Sequence, residues 1–254
     1  MNVWQALLFG LVQGVTEFLP ISSSGHLALF QAWSQIQEPT LFFNVFLHAA
    51  SLLAIVIFFW KQIVELKVRD YWLLAIGSIP VALVGLLLED RFSLLTSSPL
   101  LVGGFLIITG LINRRSQRLL DNPPQKNTKL DEKKALLVGA FQSLAILPGI
   151  SRSGTTLMGG LSQNLEKNQA FTFTFLLGIP AILGANLLQI LELVTGAGES
   201  PNFANLLAGG LAALVASWFS LGLLKKFVEQ AKLKVFSNYC LAVGSLVVIA
   251  QLIL

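Results

Sequence analysis

Apolar residues run along this chain in blocks near twenty residues long, separated by short charged stretches. That is the length of α-helix that crosses the ~30 Å hydrocarbon layer of a bilayer at ~1.5 Å per residue. Uncharged blocks at roughly 41–60, 71–88, 97–113, 169–191, 203–224 and 235–254 predict six transmembrane helices. Two further blocks, 3–33 and 135–163, are apolar at both ends but interrupted by Pro, Ser and Gly. Open backbone at membrane depth is tolerated only inside protein or around a watery cavity, so each of these predicts a re-entrant helix-loop-helix segment. The expected fold class is an all-α polytopic membrane protein of six transmembrane helices plus two re-entrant segments.

Charge placement gives the chain a direction. The connections at 61–70 (Lys61, Lys67, Arg69), 114–134 (Arg114, Arg115, Arg118, Lys126, Lys129, Lys133, Lys134) and 225–234 (Lys225, Lys226, Lys232, Lys234) are basic and are expected in the cytoplasm. Those around Glu89-Asp90-Arg91 and from Glu192 to Asn202 carry few positive charges and are expected outside. Trp60 and Trp72 flank one inner loop as interfacial anchors would. Six spans alternate without conflict only if each interrupted segment enters and leaves on one side, the first from outside and the second from inside. That is an inverted-topology repeat within one integral membrane domain, 1–254, with halves of about 1–113 and 134–254 joined by a basic cytoplasmic loop, 114–133. Gly10, Gln13, Ser22, Ser24 and Gly25 are echoed at one common offset by Gly139, Gln142, Ser151, Ser153 and Gly154. Ile79-Pro80 with Ile179-Pro180, and Gly103-Gly104 with Gly209-Gly210, would pair helices of the same direction and are set aside; the Gly-Gly pairs read as close helix packing.

Composition narrows the classes. The chain is 54% hydrophobic and 12% charged, about half the charge of a soluble domain. Its formal +4 lies in short loops between spans, which is membrane topology and not a nucleic-acid face. Cys240, the single cysteine, excludes an intrachain disulfide and reads as a small packing residue. The first apolar stretch lacks a basic n-region and a good cleavage site, so it is read as part of the mature fold.

Glu17 and Arg152 are the only Asp, Glu, Lys or Arg residues in the two interrupted blocks. A charge at membrane depth marks a functional site by default. Glu17 lies in Gln-Gly-Val-Thr-Glu-Phe-Leu-Pro-Ile-Ser-Ser-Ser-Gly-His, Gln13 to His26, and Arg152 in Leu-Pro-Gly-Ile-Ser-Arg-Ser-Gly-Thr-Thr, Leu147 to Thr156. A half-helix beginning near His26, after Ser22, Ser23, Ser24 and Gly25, offers hydroxyls and free backbone N–H groups to an anion. Ser151, Arg152, Ser153, Gly154 and Thr155 offer the same from the other half, with a guanidinium fork matched to phosphate oxygens. Two such starts and one arginine point to phosphate or diphosphate. Glu17 would be base or metal ligand, His26 acid, base or phosphate donor, and Ser23 nucleophile or hydrogen-bond donor. The plainer readings are helix-capping serines, a structural Glu17–Arg152 salt bridge and a packed histidine. His48, at the head of an apolar span, reads as packed or interfacial and is left off the site.

These motifs resemble those of the undecaprenyl-diphosphatase family, the bacitracin-resistance proteins. Its members carry Glu-x-x-x-Glu-Phe-Leu-Pro-x-Ser-Ser-x-Gly-His early and Pro-Gly-x-Ser-Arg-Ser-Gly-x-Thr past the middle. Phe-Leu-His-Ala-Ala-Ser-Leu-Leu-Ala and Gly-Ile-Pro-Ala-Ile follow the two motifs here. The resemblance implies hydrolysis of undecaprenyl diphosphate to undecaprenyl phosphate and phosphate, recycling the lipid carrier of peptidoglycan synthesis and conferring bacitracin resistance. It implies a multi-pass protein of the bacterial inner (plasma) membrane with its site facing the periplasm. By motif position it makes Glu17, Ser23, His26 and Arg152 catalytic, and Gln13, Ser22, Ser24, Gly25, Ser151, Ser153, Gly154 and Thr156 substrate-binding. It also implies a divalent cation, Mg2+ or Ca2+, with Glu17 as its ligand. Gln13 stands where the family has its first Glu, one helical turn before Glu17; an amide cannot act as a base and is a weaker ligand for a hard cation. The rival reading is a secondary transporter or lipid-phosphate flippase, which shares the inverted-repeat plan. Oligomeric state, a homodimer included, and isoprenoid length specificity stay open.

Overall fold

The computed structural model describes residues 1–34, 41–88, 98–124, 128–195 and 202–253, and every regular element among them is a helix. In chain order these are α1 (Val3–Phe18), α2 (Ser23–Ser34), α3 (Leu41–Phe58), α4 (Trp60–Val64), α5 (Val68–Leu88), α6 (Pro99–Asp121), α7 (Glu132–Ser143), α8 (Arg152–Ser162), α9 (Lys167–Thr195), α10 (Phe203–Glu229) and α11 (Lys234–Ile253). All six expected spans are helical, as α3, α5, α6, α9, α10 and α11. By length and composition, four of them are apolar enough to cross a membrane: α5, α9, α10 and α11. The chain is a polytopic membrane protein, and Leu53, Ile57, Leu83, Leu187, Val215 and Ile249 are exposed on surfaces that lipid would cover.

Helix starts follow local chemistry. Asn2 and Gln5 form a reciprocal capping box on α1, at 2.9 Å each way, and Ser98 caps α6 with Pro99 in its first turn. Two boundaries differ from expectation. Arg114, Arg115 and Arg118 are helical, because α6 runs to Asp121: good helix formers carry the helix past the end of its apolar stretch. The connection to α7 therefore begins at Asn122. Of the connections expected outside, Glu89-Asp90-Arg91 lies outside the described residues, and that from Glu192 to Asn202 is shorter than expected because α9 continues to Thr195; residues 196–201 also lie outside the described residues.

Both interrupted blocks are broken helices, α1 with α2 and α7 with α8. The break has one cause in each. Leu19 and Leu147 precede prolines, and the ring of the next residue bars them from α-helical angles; both are extended, with ψ of 144° and 126°.

Packing exchanges the pairs between the halves. α1 packs most extensively on α10, whereas α7 packs on α5. Glycine makes both approaches possible. A β-carbon on Gly10 would collide with the Gly209 carbonyl, and one on Gly139 with the Gly77 carbonyl. In lipid no hydrophobic force drives helices together, so such backbone contact and interhelical hydrogen bonds carry association.

The two pairs enter the bundle from opposite ends. Met1 accepts a hydrogen bond from Asn205, near the start of α10, whereas Thr128, just before α7, bonds Gln163 and Asn164 after α8. This second end is the basic one, tied together by Arg69 to Leu130, Gln117 to Ala231, and Lys167 to Glu229.

Candidate active site

The two breaks touch each other. Gly25, in the first turn of α2, lies against the α-carbon of Gly149 in the second break, and Gly154, in the first turn of α8, lies against Pro20 in the first. Gly25 is required by the approach of the Gly149 backbone, whereas Gly154 is crowded by the side chains of Asn113 and Pro20. Gly149 itself has φ +100°, a conformation that glycine adopts without strain. Both half-helices then start in one way. Ser22 Oγ accepts from Gly25 N at 3.3 Å and meets Ser24 Oγ at 3.3 Å; Ser151 Oγ accepts from Gly154 N at 3.2 Å and meets Ser153 Oγ at 3.1 Å. The capping reading is therefore right for Ser22 and Ser151. It also moves the start of α2 from His26 to Ser23, since a cap at Ser22 lets the helix begin at the next residue.

α6 holds both breaks from one face. Thr109 Oγ1 donates to the Gly149 carbonyl at 2.7 Å and accepts from Ser151 N at 3.0 Å. One turn on, Asn113 Nδ2 donates to the Pro20 carbonyl at 2.6 Å. Neither residue was singled out in the sequence, and no pattern could have found them: a polar residue in a span gains meaning only from what it faces. Beneath the breaks Phe18, Phe59, Phe171 and Phe175 form a dry aromatic floor, with Phe18 and Phe175 edge to face at 5.7 Å.

On this floor the structure brings four expected residues together at one carboxylate. Glu17 Oε2 accepts from Ser23 Oγ at 2.6 Å and from Gln13 Nε2 at 3.2 Å, while Oε1 takes Arg152 Nη2 at 3.1 Å. Glu17 and Gln13 are buried, and Ser23 and Arg152 half-buried. Two polar atoms here lack a partner among the described residues: Gln13 Oε1 and Arg152 Nη1, the latter pressed against Gly178 of α9. Unpaired buried polar groups cost on the order of 1–3 kcal/mol each, more for charged ones. A site that leaves both a buried acceptor and a buried cationic donor without a partner suits a group that brings both kinds of atom.

Other expected residues are placed differently. Ser24 is exposed, Ser153 is buried at the cap, and the Thr156 hydroxyl donates to its own helix at the Arg152 carbonyl, 2.7 Å away. His26 bonds the Ser22 carbonyl through Nδ1 at 2.7 Å and the Tyr239 hydroxyl through Nε2 at 2.8 Å. Ser23 is thus paired to Glu17 and not to His26. His48, set aside in the sequence as packed or interfacial, bonds the carbonyl of Asn44 in its own helix through Nδ1 at 2.9 Å.

A family model described as bacitracin resistance protein BacA matches residues 6–246. Undecaprenyl-diphosphatase of Halothermothrix orenii is 35% identical over 255 residues, covering 98% of both chains. The enzyme of that name from Methanosphaera stadtmanae is 36% identical over 281 residues, the whole of both, and that from Rhodopirellula baltica 37% over 254 residues, 98% of both.

Proposed function

The chain belongs to the bacitracin resistance protein family, and on that premise we propose that it hydrolyses undecaprenyl diphosphate to undecaprenyl phosphate and inorganic phosphate. The observation that carries this reading is the carboxylate shared by Ser23 and Arg152, with Arg152 Nη1 left open beside it.

The terminal phosphate is received by Arg152 Nη1 and by the first-turn N–H groups of α2 and α8 that the serine caps leave free. Moving the guanidinium toward phosphate loosens its hold on Glu17, so the carboxylate is freer to accept the Ser23 proton. Ser23 Oγ then attacks the terminal phosphorus, and the bond from that phosphorus to the bridging oxygen breaks. Undecaprenyl phosphate leaves with the electron pair. The proton taken up by Glu17 passes to the departing phosphate. Water next attacks the phosphoserine with Glu17 accepting its proton, the bond from phosphorus to Ser23 Oγ breaks, Glu17 returns the proton to Ser23 Oγ, and inorganic phosphate is released. Arg152 and the helix starts act where negative charge spreads over the equatorial oxygens.

The donor set fits a hard divalent cation only in part from protein. No cluster of three or more His, Cys, Asp or Glu occurs among the described residues, so the chain forms no closed cage. The unpaired Gln13 Oε1 and the Glu17 carboxylate, one turn apart on α1, would hold Mg2+ or Ca2+ together with diphosphate oxygens, as Mg2+ sites built on one or two carboxylates do. When bound, the cation would neutralise charge on the diphosphate.

The bacterial inner membrane, with the site opening to the periplasm, is the setting this reading takes, supported by the first helix pair entering at the end opposite the basic loops. A cysteine placed at Lys129 should be labelled only from the cytoplasm; labelling from outside would reverse the orientation.

The deciding assay is phosphate release from a C55 isoprenyl diphosphate by purified protein in detergent, for wild type, Glu17→Ala and Arg152→Ala, with and without Mg2+ or Ca2+. Loss of release in both variants supports the reading. A well-folded wild type that releases none under any cation transfers the weight to a transporter, which needs two compartments and no hydrolysis.

A further inference from the structure

The hydrogen bonds of His26 assign its protons. The Ser22 carbonyl can only accept, so at 2.7 Å from it His26 Nδ1 must carry a hydrogen. In the neutral ring Nε2 is then a lone pair, and the Tyr239 hydroxyl at 2.8 Å is its donor. The two rings lie nearly parallel, 11° apart with centroids at 5.6 Å. Tyr239 sits on α11, 213 residues along the chain, so this contact joins the start of the first half-helix to the far end of the molecule.

What His26 holds in turn is the break. Ser22 stands at φ +73°, a left-handed conformation that non-glycine residues rarely adopt and that costs on the order of 1–3 kcal/mol. Its carbonyl receives both the backbone N–H of His26, at 3.2 Å, and the His26 ring. The strained residue lies directly before Ser23, so its conformation sets where Ser23 Oγ points.

The location of the pair is also informative. Glu17 is 8% exposed, whereas Tyr239 is 42% exposed. The ring pair therefore reaches from the more deeply buried Glu17–Ser23–Arg152 group to the accessible surface.

We propose that Tyr239 is a positioning residue for the diphosphatase reaction: its hydroxyl donates to His26 Nε2 and so holds the ring whose Nδ1–H anchors the Ser22 carbonyl directly before Ser23. The inference rests on the diphosphatase reading for its consequence in turnover, but not for the state of the ring.

The chain has two histidines, so histidine-selective 15N labelling yields two pairs of ring signals, and His48→Gln assigns them. In wild type at mildly alkaline pH, His26 should show a protonated Nδ1 and a hydrogen-bonded, unprotonated Nε2. In Tyr239→Phe, which keeps the stacked ring, the Nε2 signal should move to that of an unbonded lone pair. Turnover of this variant should fall on the order of tenfold in kcat with KM little changed, as expected when Ser23 is less well oriented for attack. On a His26→Ala background Tyr239→Phe should cost nothing further, because a residue acting only through His26 has nothing left to position. An unchanged Nε2 signal, a wild-type kcat in Tyr239→Phe, or an additive loss on His26→Ala would each overturn the proposal. A wild type that releases no phosphate defeats the diphosphatase reading instead, and with it the role in turnover, while the ring signals still decide the Tyr239–His26 pair.

Discussion

Glu17 and Arg152 meet at 3.1 Å across 135 residues of chain, one from each broken helix pair. Their union is what makes one site of two motifs. A buried pair is weak evidence for stability, since desolvation opposes attraction, but removing one partner strands the other and costs about 3–5 kcal/mol. Loss of activity in an alanine variant at this pair therefore needs the melting temperature beside it, and a variant that keeps the charge is the sharper test.

Arg152→Lys keeps it and loses the fork. Only a planar guanidinium carries separate donors for Glu17, through Nη2, and for an arriving phosphate oxygen, through Nη1. We expect kcat/KM to fall roughly a hundredfold or more, a loss of about 3 kcal/mol or more of transition-state stabilisation, with the melting temperature near wild type. Near-normal kinetics would rule out phosphate clamping by Arg152.

Ser23→Ala should abolish turnover while preserving the fold, because Ser23 is only half-buried and its hydroxyl has one partner, Glu17. The covalent route adds a sharper outcome. Brief exposure of wild type to substrate labelled in its terminal phosphate, followed by acid quench, should leave label on Ser23. Retention of more than a few percent of activity in Ser23→Ala would instead mean that Glu17 activates water directly.

Asn113→Leu should lower stability by about 1–3 kcal/mol, because the buried Pro20 carbonyl loses its 2.6 Å donor and keeps only the weak contact of Cys240 at 3.8 Å. Activity should fall with it, since the first break is no longer held to α6. Thermal unfolding and phosphate release measured on one preparation would show whether the two losses track.

Gly139→Val should prevent α7 from reaching α5, as its side chain would overlap the Gly77 carbonyl. A backbone collision cannot be relieved by rotamer change, so the loss should exceed about 4 kcal/mol and appear as poor yield of folded protein. Gly104→Ala is the control: open space surrounds it, and yield should be unaffected.

Asp131, partly exposed just before α7, is held below the usual carboxylate range by the Lys134 ammonium at 2.7 Å and by backbone N–H donors. Its folded-state pKa is depressed, so its contribution to stability is present above the unfolded value near 3.8 and is lost as pH falls through the folded one. Asp131→Asn should therefore flatten the acid limb of the stability profile and leave turnover at neutral pH unchanged.

Much of this was legible in order along the chain. Twenty-residue apolar blocks specify membrane helices because the bilayer sets one length, and Leu-Pro specifies a break because a ring cannot share space with a helical residue before it. Glu17 and Arg152 could be read as a site because a lone charge in an apolar block demands an explanation. The basic arginines after Asn113 misled only on where α6 ends, since charge reports where a membrane stops and not where a helix does.

What the sequence by itself determined was an all-helical membrane protein with two interrupted segments bearing matched polar motifs. Only the tertiary structure decided which groups meet: Ser23 with Glu17 and not His26, His26 with Tyr239, both breaks with α6, and Ser22 and Ser151 spent as caps. The reason is physical. Propensity and hydropathy act over a few neighbouring residues and are written locally, whereas a hydrogen bond between positions 26 and 239 depends on how the whole bundle packs, and no local rule encodes it.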